Sequence, residues 1–521
     1  MARTIDAVLV AVMVTVLPAS AAAQAKPPAS APGGQKAAPG LGENVKKVID
    51  EFNRGNYIDS AYKFFDVVEN DNNQQNQLAA EYFAGASLHK LKFYQPAYYF
   101  FSGIVKTGPN HPFFGKAVEG LVEIADSLKD DLFIPELFMK FYTPEFSKLE
   151  AEVLNHINYM IGELAYRKGK VGEAEKFLNV IPKNSKFFTR AQYLRGVILI
   201  RAQKFTEATA AFDDILKATS SPKLDEYQAQ VRHLAMMALA RNYYGNGEYK
   251  KAGEHYAMIP RFDDDWLDAL FEGGWSYFML QDFGTAMGRV HTLFAPNYLE
   301  TFQPETFILK ATIYFYSCLY DESKGTLEAF YSRYKDMPEK LRTKVLQSQE
   351  AGPDFFFRLV AGTPLSEQND VPMEIRKHLR SNPRFRNFVN FWIELEREKA
   401  MIEKVSTWSG SRFGTTLKGI IQSQSDMLTK VIGKWTQIRL QNLHDSLIDF
   451  LNQAQLIDFE TVNEQRKLLT AVDKGREGGG ARAALGRPMA ASDNEYYWEF
   501  DQEFWVDELG YYNFTIRKEC K

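Results

Sequence analysis

Cysteine is nearly absent from this chain: Cys318 and Cys520 are the only two in 521 residues. No disulfide framework is therefore expected to organise the fold. Cys318 reads as a small buried thiol near the end of a helix, and Cys520, one residue from the end, as a mobile one. Charge of either sign is not in excess, with 62 basic against 66 acidic residues, which excludes a global attraction to nucleic acid. The eight histidines are scattered, without HExxH or any paired spacing, and no cysteines cluster, so neither a metal site nor a cofactor is expected. No Ser, Cys or Thr stands in a nucleophile motif. The glycines of 475–480, GREGGG, lack both the preceding strand and the Gly-Lys-Ser/Thr of a phosphate loop and read as linker. Asp263, Asp264 and Asp265 read as N-cap and first-turn acids of a helix starting near Trp266. No catalytic constellation emerges, and the chain is expected not to be an enzyme. Long apolar runs are missing too: beyond the N-terminal segment no stretch of about 18 or more apolar residues occurs.

What is there begins with Arg3 and an apolar run from Ala7 to Leu17, blemished by Asp6, then Pro18 and small residues from Ala19 to Ala23. This pattern reads as a secretory signal peptide over 1–23, cleaved after Ala23 or after Ala21, with an uncleaved anchor as the alternative. Residues 24–40 are Ala-, Pro- and Gly-rich and form no core, as expected of a flexible tether. An exported protein without a membrane span follows from these readings.

The most informative stretch is His156 to Ala295, where a spacing of 34 recurs. Gly162, Gly169, Val171, Ala174, Leu178 and Ile181 return as Gly196, Gln203, Phe205, Ala208, Phe212 and Ile215. Ten inserted residues later, Ala240, Tyr243, Gly247, Tyr249, Ala252, Tyr256 and Ile259 return as Gly274, Tyr277, Gln281, Phe283, Ala286, Val290 and Leu293. A small residue on helix A, a break, then alanine and a large side chain four residues on in helix B resembles the tetratricopeptide repeat (TPR) family. The fold class expected is all-α: a TPR-type helical-hairpin solenoid over 41–338, most regular over 155–338. In 80–109, Pro96 is read as occupying the small-residue position, inside the first turn of its helix. Residues 117–146 read as a degenerate repeat.

A helical C-terminal region is expected over 339–473, including an apolar stripe at Phe385, Phe388, Val389, Trp392 and Leu395 and a mixed-charge run, Glu394 to Lys399, read as a solvent face. Beyond a Gly/Ser break at 406–415, apolar residues from Leu417 to Ala454 predict one or two long amphipathic helices, with a phase slip near Leu440. Residues 474–492 are a Gly/Ala-rich linker and 493–521 an acidic, aromatic tail. The segment from Glu374 to Arg439 holds 13 basic and 6 acidic residues, whereas the tail from Asp493 holds 8 acidic and 3 basic. That complementarity predicts docking of the tail on the helical middle or the repeat groove through Trp498, Phe500, Phe504, Trp505, Tyr511 and Tyr512.

The TPR resemblance implies that fixed helix A positions line a concave groove for protein partners. In this chain they are Tyr159, Tyr166, Arg167, Arg190, Tyr193, Arg201, Arg241, Tyr244, Phe271, Trp275, Phe278, Phe315 and Tyr316, residue types that dominate interface hot spots. The whole layout, ending in Trp498, Glu499, Phe500, Asp501, Phe504 and Trp505 to Tyr512, resembles exported TPR proteins of the adventurous gliding motility machinery of myxobacteria. That resemblance implies a periplasmic or outer-membrane-associated component of a multiprotein envelope complex. The expected function is thus a non-enzymatic scaffold whose partners are other envelope proteins. Alternatives are an assembly or export factor for outer-membrane proteins or polysaccharide, and an enzyme with its active domain in 353–521.

Overall fold

The computed structural model describes residues 40–221, 223–224, 226–347, 352–361, 371–473 and 504–516. The signal peptide and most of the tether, the linker at 474–492, Cys520, and the tail residues Trp498 and Phe500 lie outside the described residues. Among the described residues every regular element is a helix, and the first sixteen α-helices form eight A–B pairs. These are α1 (Glu43–Asn53) with α2 (Tyr57–Asn70), α3 (Gln74–Lys90) with α4 (Tyr94–Thr107), α5 (Phe114–Leu128) with α6 (Phe133–Lys140), and α7 (Ala151–Arg167) with α8 (Val171–Leu178). They continue with α9 (Phe188–Arg201) and α10 (Phe205–Ala218), α11 (Glu226–Gly245) and α12 (Tyr249–Tyr256), α13 (Trp266–Met279) and α14 (Phe283–Leu293), and α15 (Pro304–Tyr316) and α16 (Tyr320–Tyr334). Five helices follow: α17 (Met337–Leu341), α18 (Pro353–Ala361), α19 (Met373–Ser381), α20 (Pro383–Lys404) and α21 (Arg412–Asp473).

One backbone device closes every hairpin. Helix A ends on a left-handed residue, at Gly55, Lys92, Lys129, Gly169, Gln203, Gly247, Gln281 and Cys318. The amide of the next residue then donates to the carbonyl five back, as Phe93 does to Leu88, Lys204 to Leu199 and Asp282 to Tyr277. This is the Schellman arrangement, which satisfies carbonyls that a helix end leaves orphaned. Counting from the left-handed residue gives a fixed register. Five positions on stands the small residue of helix B, Ser60, Ala97, Ala174, Ala208, Ala252, Ala286 or Ser323, each fully buried. In the second hairpin that residue is Ala97 and not Pro96, which is the third residue of α4. The degenerate stretch 117–146 is the hairpin α5–α6, shortened in helix B.

The register also explains the helix A glycines. A Cβ at Gly162 would lie 2.7 Å from Leu178, and one at Gly196 would lie 2.5 Å from Phe212. Position 85 stands in the same relation to Phe101, at 2.8 Å. In each case the large residue is sixteen positions on, so the small residue of helix A is the socket for the large residue of its own helix B. Only a missing side chain lets the two helices approach this closely.

The described residues fall into two compact units, one within 40–191 and 383–435 and the other within 192–382 and 436–516. In the first, α20 and the start of α21 run across the turns of the hairpins. Trp408 is wholly buried with its ring 5.3 Å from that of Phe93, and Phe413 sits 4.9 Å from Phe65. Phe391 meets Phe133 at 6.1 Å, and Arg384 binds Asp131 at 2.9 Å in the α5–α6 turn. In the second unit α13 to α16 pack in sequence around Ala286, Met287, Val290, Leu309 and Ile313. The C-terminal helical prediction resolves as a single 62-residue helix, α21.

Two expectations are corrected. Cys318 is not a buried residue of a helix: it is half-buried and holds the left-handed turn after α15, φ 60°. The run Glu394 to Lys399 is not simply a solvent face, because Glu398 is fully buried. Its carboxylate accepts from the amides of Tyr94 at 2.8 Å and Gln95 at 3.2 Å. The residue before α4, Phe93, offers no side-chain cap, so Glu398 supplies from a distant helix the acceptor that the first turn needs.

Candidate functional site

In the second unit the expected groove residues lie on the A helices α9, α11, α13 and α15, and ring contacts tie those of α13 and α15 together. Trp275 meets Phe278 edge-on at 5.5 Å, Phe278 meets Tyr316 at 5.4 Å, and Tyr316 meets Phe315 at 5.6 Å. Tyr316 remains 52% exposed at the end of this row. Tyr244 is half-buried, its ring 5.2 Å from that of Tyr249. Phe271 packs partly buried between two core clusters. Tyr193 lies 6.1 Å from Phe212, and Arg201 is exposed.

Beside the rings lies a polar centre. The Nε of Arg241 donates to Glu272 at 2.8 Å and its Nη2 to the other carboxylate oxygen at 2.6 Å, while the hydroxyl of Tyr256 donates to Glu272 at 2.7 Å. Burial works against the Arg241 charge, but the hydrogen bonds and charge of Glu272 outweigh it and hold the guanidinium above its ordinary value. Desolvation by the surrounding side chains first, and then the charge of Glu272, pushes Asp268 up to about 6 and Glu305 up to about 7. Burial also raises Tyr244 to about 12. With Asp265 nearby, this face carries a run of carboxylates around one guanidinium that is already chelated. The charge of Arg241 is therefore compensated from within, and neutralising pressure falls on the acids.

In the first unit the expected residues are drawn into the fold. Tyr166 is buried. Tyr159 stacks on Phe187 at 6.0 Å, and the guanidinium of Arg190 lies over both rings, 5.6 and 5.8 Å from their centroids. Such cation–π contacts hold an arginine in place as structure. Arg167 reaches Asp131 at 2.6 Å and also binds Glu163. Arg384 shares that Asp131, so a shared carboxylate fixes α20 beside α7.

The tail segment 504–516 packs on α13 and α14. Leu509 is buried with Trp266 and Leu293, and Phe504 stacks on His291 at 4.6 Å. The backbone of 512–514 lies directly on Gly284 and Gly288, where added Cβ atoms would come within 2.3 Å of the Phe514 oxygen and 1.7 Å of the Tyr512 oxygen. The amide of Phe514 donates to the Gly284 carbonyl at 3.2 Å, and that of Gly510 to the Thr292 hydroxyl at 2.8 Å. Tyr512 is half-buried, whereas Trp505 and Tyr511 are exposed. Sequence reasoning missed Gly284, Gly288, His291 and Thr292. Their spacing along α14 marks a face too small and polar for its own core, a signal that was present but had no partner to give it meaning.

Asp263 has a different role from the one expected. It pairs with His233 at 2.7 Å and accepts from the Asp265 amide at 3.1 Å, and the N-cap residue Asp265 makes no side-chain cap bond. Among the described residues no group of three or more His, Cys, Asp and Glu is arranged to hold a metal, and no helix is long and apolar enough to cross a membrane.

No protein-family model matches the sequence, and no curated protein matches it. Among solved structures, a tetratricopeptide repeat protein from Parabacteroides merdae ATCC 43184 is similar over 56% of this chain and 91% of that one, at 14% identity and a TM-score of 0.25. So loose a superposition carries no argument about the fold. The TPR-type architecture rests on the eight hairpins, their shared turn and their socketed helix pairs.

Proposed function

We propose that this chain is a non-enzymatic interaction scaffold that holds a partner protein on the helix A face of its second unit. The observation that supports this most is the ring row Trp275, Phe278, Tyr316 and Phe315 beside the Arg241–Glu272 pair, with Tyr316 52% exposed. Rings held edge to edge by their neighbours bind at little further entropic cost, which suits them to anchor a partner. Packed helical repeats present such a face without any bond chemistry. The export pattern of residues 1–23 supports a place in the bacterial envelope, periplasmic or at the outer membrane. The resemblance of the whole layout supports membership of a multiprotein gliding motility complex.

Affinity purification from envelope fractions tests this reading, comparing the full chain with a Trp275→Ala, Tyr316→Ala double variant. Both side chains are partly exposed, so the variant is expected to fold and to lose the proteins that the unaltered chain retains. Recovery of the same proteins by both would overturn the reading. Charge reversal at Arg190 or Arg241 is a poorer probe, because each guanidinium is tied into the fold.

A further inference from the structure

We propose that the C-terminal turn around Trp505 is a second protein-docking surface, presenting an aromatic knob to an apolar pocket of a partner whose rim carries lysine or arginine. Trp505, Val506 and Tyr511 are 54%, 60% and 72% exposed, and Phe262, in the turn before α13, is 59% exposed. Phe262 and Tyr511 both lie against Arg261, whose guanidinium is 5.1 Å from each ring centroid, and the same guanidinium reaches the carbonyl of Val506, next to Trp505. Large apolar side chains scattered singly on a surface need no explanation, but three on one short turn with a fourth held against it by a shared arginine do.

The turn is rigid. Leu509 and Gly510 are buried at its base. Arg261 donates to the carbonyls of Asp507, at 3.0 Å, and Val506. The amide of Glu508 returns to the Trp505 carbonyl at 3.1 Å, and that of Tyr511 to the Glu508 carbonyl at 2.9 Å. Trp505 also gives its own amide to the Tyr512 hydroxyl at 3.2 Å. On the opposite side Phe262 holds a left-handed backbone, φ 65°, a conformation that a bulky side chain adopts only when its surroundings impose it. The fold thus uses hydrogen bonds and strain to keep apolar side chains in water, which is the arrangement of a surface organised before it binds.

Charge selects the kind of partner. Asp507 and Glu508 are exposed beside Trp505 and Val506. Arg261 is turned inward onto carbonyls and rings, and Arg289 is taken up by the Gly510 carbonyl at 3.3 Å. Among the described residues the outward rim of the turn is therefore anionic, which favours a cationic protein rim and disfavours an anionic lipid surface.

The test uses the full chain in its native host, with the photo-crosslinking residue p-benzoylphenylalanine at position 505 or 511 and, as a control, at the similarly exposed Tyr99 of the first unit. Adducts to another protein are expected from 505 and 511 well above the control, mapping to an apolar site flanked by Lys or Arg. The Asp507→Lys, Glu508→Lys variant should lower their yield about tenfold while leaving the melting temperature and the exchange of the Leu509 amide unchanged. Adducts confined to lipid or to a second copy of the chain, yields no higher than the control, or yields unaffected by the charge reversal with the turn still intact would each overturn the proposal.

Discussion

Gly288 of α14 lies against the carbonyl of Tyr512 so closely that a Cβ at position 288 would sit 1.7 Å from that oxygen. The close approach is what makes the C-terminal segment part of the second unit's packing. In an open helix, Gly→Ala would stabilise by up to about 1 kcal/mol. Here Gly288→Ala should instead destabilise the chain by about 1–3 kcal/mol, because tail or helix must shift. Hydrogen exchange checks it: faster exchange at the Leu509 and Gly510 amides is expected, and unchanged protection would contradict the packing.

Gly196→Ala tests the socket within a hairpin. The new methyl meets the Phe212 ring at 2.5 Å, and a loss of about 1–3 kcal/mol is expected by chemical denaturation. Phe212→Leu should recover part of that loss in the double variant, since the two side chains share one space. Simple additivity would contradict the contact.

Glu398 gives a pH dependence with a defined sign. Burial pushes its carboxyl up to about 8 from an ordinary 4.5, against the pull of the Gln95 and Tyr94 amides. The folded chain thus binds this proton more tightly than the unfolded chain, so the contribution is fully present below about 4.5 and is lost as pH rises through about 8. Glu398→Gln should melt close to the unaltered chain near about pH 5 and above it near about pH 8, the gap widening by at most roughly 1.4 kcal/mol per pH unit. A gap that narrows with rising pH would contradict the burial.

Arg241→Gln leaves Glu272 among Asp268 and Glu305 without its guanidinium. A loss of about 1 kcal/mol is expected, modest because the pair is partly exposed. Added Glu272→Gln should restore most of it, which a double-mutant cycle by thermal melting measures. Independent effects would show that the pair is incidental.

The hairpins were legible because the same local chemistry repeats: a left-handed residue, a small residue five positions on, and an aromatic or aliphatic residue four beyond that. The register is less plain where a lysine stands at the left-handed site, at Lys92 and Lys129, and there spacing alone points to Pro96 in place of Ala97. The ring row of α13 and α15 followed from periodicity and the TPR resemblance together. Three things were not legible. Glu398 looks like one charge in a mixed run until α4 is placed beside it. Arg190 and Arg167 look available until Tyr159, Phe187 and Asp131 take them up. The α14 glycines look like weak helix positions until the tail covers them. Each depends on a contact across a long sequence separation, which local spacing does not encode.

The most direct measurement of the central claim is hydrogen exchange on the chain alone and within its complex isolated from envelope fractions. Binding on the helix A face predicts new protection across 241–244, 271–278 and 315–316, with the first unit's Tyr159 to Arg167 segment unchanged. Protection confined to other helices, with those three segments exchanging as in the free chain, would contradict it.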